Sequence, residues 1–147
     1  MSTIVKGAMD AVILRLQAIW VSGGYNTDTG NQVYAGVRTF QDDMTFPIVT
    51  VFTGNEFVEK LTYNSYRSER TINIECYVKD ATTPTISLER LIEDVQRAME
   101  QTDISLGGLV EVLDYTGIEE TEQPDGGSDI AGVRITYVIT FQRQYGA

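Results

Sequence analysis

The sequence predicts an α+β fold: a mainly antiparallel, mixed β-sheet with two helices packed on one face. Three observations point there. Two segments, 3–20 and 86–101, space their apolar residues three and four apart, the period of a helix with one buried stripe. Two others, 70–79 and 132–145, alternate apolar and polar residues with period two, the pattern of strands. The strands are grouped between and after the helices and do not alternate with them one by one, which favours α+β over a doubly wound sheet.

In the first helix Ile4, Val5, Ala8, Met9, Val12, Ile13, Leu16, Ile19 and Trp20 form the stripe, Ser2 can cap the start, and Ser22-Gly23-Gly24 ends it. A polar loop follows at 24–31, then a predicted strand at 32–39 carrying Val33, Tyr34 and Val37. A second loop at 41–46 leads to Pro47, tolerated at a strand start, and a β-branched and aromatic run at 48–53. A further strand is predicted at 57–63. In the strand at 70–79, Ile72, Ile74, Cys76 and Val78 share one face. Thr82-Thr83-Pro84-Thr85 signals the second helix, whose core side carries Leu88, Leu91, Ile92, Val95, Ala98 and Met99. Arg90/Asp94 and Glu93/Arg97, each four apart, are expected on its solvent side. Strands at 109–118 and 132–145 flank a polar hairpin loop. The whole of 1–147 reads as one domain, with mobile loops near 22–31, 41–46 and 119–130.

Composition narrows function. At 147 residues the chain can bury about two-thirds of its unfolded surface without disulfides or metals. Eleven basic against 21 acidic residues give a net charge of −10, which opposes a grip on nucleic-acid phosphates or on anionic membranes. No histidine is present, which removes the commonest general base and metal ligand. No secretory or membrane-spanning run is apparent. The expectation is a protein without enzymatic activity, cofactor or metal.

The remaining chemistry-bearing residues read as structural or partner-facing. Asn26-x-Asp28-x-Gly30 faintly echoes a calcium loop, but the twelfth position is Val37 where a bidentate Glu is needed, so an Asx-stabilised turn is expected. Asp42-Asp43 has no base or nucleophile beside it in the pattern and reads as solvated or partner-facing. Cys76, in register with Ile72, Ile74 and Val78, reads as a small buried hydrophobe. No phosphate-cradling glycine motif occurs. From 103 to 129 there are eight acids and no base, a solvated hairpin or an acidic surface for a basic partner.

The order of pieces also carries a resemblance. An amphipathic helix precedes Gly24-Tyr25-Asn26-Thr27-Asp28-Thr29-Gly30, then Asp42-Asp43, Pro47-Ile48-Val49-Thr50-Val51-Phe52, the strand at 70–79, and Leu88-Glu89-Arg90-Leu91-Ile92-Glu93-Asp94-Val95. This order, over most of the chain, resembles the tail terminator (tail completion) proteins of long-tailed bacteriophages, the minor tail protein U-like family. The resemblance implies a structural virion protein with helices against a sheet and no reaction. It implies a homo-oligomeric, usually hexameric, ring on the head-proximal end of the tail tube. There it would stop addition of the major tail protein and provide the surface that joins the head–tail connector proteins. It implies assembly in the host cytoplasm and residence at the tail–head junction. Tyr25, Asp28, Asp42, Asp43 and Phe46 are the expected partner-interface residues. Another neck or head–tail connector protein is the alternative reading, and a small ligand-binding domain a more distant one.

Overall fold

The structure, a computed structural model, describes residues 3–36, 45–80, 82–100, 103–121 and 130–144. Helix α1 spans Thr3–Gln17. Strands β1 (Val33–Ala35), β2 (Ile48–Thr62) and β3 (Ser65–Lys79) follow, then helix α2 (Pro84–Glu100) and strands β4 (Val112–Glu120) and β5 (Ile130–Gln144). They form one five-stranded sheet in the order β1-β2-β3-β5-β4. β1 pairs with β2 in parallel and every other pairing is antiparallel, so the sheet is mixed, as the pattern predicted.

The core follows directly from the two periods. Ile72, Ile74, Cys76 and Val78 of β3 share a face with Val49 and Val51 of β2 and with Val133, Ile135, Tyr137, Ile139 and Phe141 of β5. Against that face lie Ala8, Val12 and Leu16 of α1 and Leu91, Val95 and Met99 of α2, all buried. Fully burying each large side chain stabilises by about 1.5–3 kcal/mol. Arg15, in the last turn of α1, donates to the carbonyls of Met99 and Asp103 and so ties the helix ends together. The other face is polar and aromatic. Arg134 donates from Nε and Nη2 to Oε2 of buried Glu75, at 3.1 and 2.8 Å, and its guanidinium lies 5.5 Å from the Phe52 ring centre. Tyr77 donates its hydroxyl to the other Glu75 oxygen at 2.7 Å, and burial, then this bond, pushes its pKa up.

Several expected boundaries change. The first helix stops at Gln17, three residues short of the expected end, and Trp20 opens a 3-10 turn over Val21–Gly23. The strand expected at 32–39 is β-structure over Val33–Ala35, and 37–39 lie outside the described residues. The runs at 48–53 and 57–63 are not two strands but one, β2, whose register shifts between Thr53 and Glu56. The shift supplies the break in alternation that mimics a loop in the sequence. β3 starts at Ser65, five residues before the expected 70. β4 starts at Val112, because Leu106, Gly107 and Gly108 take positive φ and turn the chain first.

Candidate functional site

The segment at 24–31 is held to α2 by a residue expected in solvent. Asp94 is 1 % exposed, and its carboxylate accepts from the amides of Asn26 (2.9 Å) and Thr27 (2.8 Å) and from the Thr27 hydroxyl (2.6 Å). One turn on, Arg97 donates to the Gly24 carbonyl at 2.8 Å and lays its guanidinium 4.8 Å from the Tyr25 ring centre. Asp94 is therefore not on the solvent side that i,i+4 spacing suggested, while Arg97 stays exposed, as expected, and bonds the loop. The helix uses them to fix a loop, which the sequence could have signalled only through the loop's own unpaired donors.

This anchoring decides where the expected interface residues stand. Tyr25 is half-buried beneath Arg97 and packs against the core. Asp28 is exposed, and its Oδ1 accepts from the amide of Val21, seven residues earlier, at 2.7 Å, a contact across the loop in place of the expected Asx turn. Phe46 is half-buried and lines a hollow of about 180 Å³ with Asn26, Thr27, Ser87 and Arg90. Thr29 donates its hydroxyl to the Pro47 carbonyl at 3.1 Å, so Tyr25, Asp28 and Phe46 come together at one end of the molecule. Asp42 and Asp43 lie outside the described residues.

Chemically this end offers anchored loops and carboxylates already engaged by donors. Cys76 is fully buried in the core, and burial, then the charge of Glu75, raises its thiol pKa far above the ordinary value, which keeps it protonated and unreactive. Among the described residues no three His, Cys, Asp or Glu side chains group so as to hold a metal ion. No helix among them is long and apolar enough to cross a membrane.

Two surfaces escaped the sequence reading. The outer part of the β2–β3 hairpin exposes Phe57, Val58, Leu61 and the turn residue Tyr63. Phe57 and Val58 point to opposite faces yet are 69 % and 56 % exposed, so the hairpin stands clear of the helix layer as an arm. At the far end of the sheet, α2, β4 and β5 enclose an open groove of about 480 Å³ floored by Leu88, Ile92, Ile118 and Val133. Glu89, Glu119 and Glu120 stand on its lining. Adjacent apolar residues in a single strand, Phe57-Val58, were the available sign of the arm. The groove had none, because its parts are distant in sequence.

Comparison with protein families matches residues 4–140 to a family described as Bacteriophage Tail Tube Terminator Protein. No curated protein matches the chain.

Proposed function

This chain belongs to the bacteriophage tail tube terminator family and is a structural tail-completion component of the virion; on that premise we propose that six copies form a ring on the head-proximal end of the tail tube. The ring stops addition of the major tail protein and offers the surface to which head–tail connector proteins dock. The chain works as one domain over its 147 residues, assembles in the host cytoplasm, and catalyses no reaction. The family match over residues 4–140 carries this reading.

The shape of the sheet supports ring closure. Among the described residues, β4 has no strand on its outer side, and β1 covers β2 only over Val49–Val51. Each subunit thus has two unlike open edges, which is what a head-to-tail interface needs. The β4 edge carries Asp114, Glu119 and Glu120 and no base, so two β4 edges repel one another and pairing with a different edge is favoured. Tyr25, Asp28, Asp42, Asp43 and Phe46 form the surface offered to the tube or connector.

The test is polymerisation of purified major tail protein with and without this chain. Blunt tubes capped by one ring at one end, and arrest of growth at substoichiometric amounts, are expected in negative-stain images. Tubes that keep growing, with no density added at their ends, refute the proposal.

A further inference from the structure

The arm and the groove lie at opposite ends of the sheet. β3 begins beside the arm's turn at Ser65 and ends at Lys79, which pairs with Ile130 at the groove. At about 3.3 Å per residue these ends are roughly 45 Å apart, so an arm cannot reach the groove of its own chain. It can reach that of another copy. Resting on the ring reading above, we propose that the tip of the β2–β3 arm of one copy seats in the α2–β4–β5 groove of the next. Tyr63 is the plug, Phe57 and Leu61 flank it, and Lys60 meets the acids of the groove lining.

Three observations carry this. First, the two patches are complementary in kind: a protruding apolar tip, with Tyr63 87 % exposed, and an open apolar-floored hollow. A volume of about 480 Å³ is within the range that holds small ligands and has room for one aromatic side chain with neighbours. Aromatic residues that bring area and a polar tip are favoured at such contacts. Second, the charges are compatible. The groove lining carries Glu89, Glu119 and Glu120, of which Glu119 also meets Arg134 at 3.4 Å, while the arm tip at 57–63 carries Lys60 against Glu59 and is neutral overall. In a chain of net charge −10, the arm is a stretch of its own surface that this acidic groove does not repel. Third, the patches differ and sit at opposite ends, so the contact is heterologous and repeats from copy to copy, closing where its rotation allows.

Engineered cysteines test the contact cleanly, because the native Cys76 is fully buried. The variants Asn64→Cys, next to the plug, and Glu89→Cys, each exposed, are mixed at assembling concentration and treated with a short bis-maleimide. A cross-link between the two variants, absent within either alone, is expected, and a chain carrying both should give a ladder of multimers. Phe57→Ser should raise the protein concentration for half-assembly about tenfold or more without changing the melting temperature of the subunit. Lys60→Glu should weaken assembly, and Glu120→Lys in the same chain should restore it. Rings that form without the cross-link, and that tolerate these variants, overturn the arm-in-groove contact and leave the ring reading standing. Cross-linked open filaments support the contact and refute the closed ring. A chain monomeric at every concentration, alone and on tube ends, overturns both.

Discussion

Replacing Asp94 with alanine should detach the 24–31 loop from α2 and destabilise the whole chain. The carboxylate is buried and accepts three bonds of 2.6–2.9 Å, two of them from the backbone amides of Asn26 and Thr27. A hydrogen bond to a charged group contributes about 1.5–3 kcal/mol net, and an amide left without an acceptor costs about 1–3 kcal/mol. The three bonds act on one loop and are not additive, and water reaches the part-buried amides after the change. We therefore expect a loss of about 3 kcal/mol. With a urea slope of about 2 kcal/mol/M, the unfolding midpoint falls by about 1.5 M. Asp94→Asn keeps one acceptor but turns an NH₂ toward a donor, and should lose about half as much. Thr27→Val, made with and without Asp94→Ala, should reveal a coupling of about 1 kcal/mol, because both residues share one bond. Amide exchange at Asn26 and Thr27 should accelerate in step. A midpoint shift under about 0.3 M with unchanged exchange at both amides would refute the view that Asp94 holds the loop.

Three further outcomes are expected of the same fold. Gly30→Ala would place a methyl 2.5 Å from the Gln17 carbonyl oxygen and 2.8 Å from that of Ile19, backbone atoms that cannot swing aside, so thermal melts should show a loss of about 1–3 kcal/mol; an unchanged melt would mean that the loop does not approach α1 so closely. Cys76 should react with a thiol reagent only on the timescale of unfolding, and rapidly in denaturant; fast native labelling would place it outside the core. The carboxyl of Asp80 is held well below the usual range by the Ser87 hydroxyl first, then by the Thr83 and Thr82 amides. Its stabilising contribution is present above the unfolded value of about 4 and is lost as pH falls toward the folded one, so Asp80→Asn should flatten the acid side of the stability profile below about pH 5. An acid limb identical in both proteins would count against this capping role.

The elements with strong periodicity were legible in the sequence. Both helices, the core faces of β3 and β5, the burial of Cys76 and the mixed α+β class follow from spacings of two and of three to four, because burial on one side imposes that spacing locally. The family, too, was approached through the order of such pieces. Tertiary contact decided the rest. Residues 48–62 became one strand because β3 pairs along their length, and pairing partners are not written in the strand itself. Asp94 looks like a surface charge on any helical wheel, yet a loop some seventy residues earlier supplies the donors that bury it, and exposed Arg97 bonds a carbonyl of the same loop. The arm is exposed because, among the described residues, no helix extends over it, and the groove exists because α2, β4 and β5 converge. Local sequence sets which face of an element is apolar; only the assembled sheet determines which of those faces are covered and which remain open to a partner.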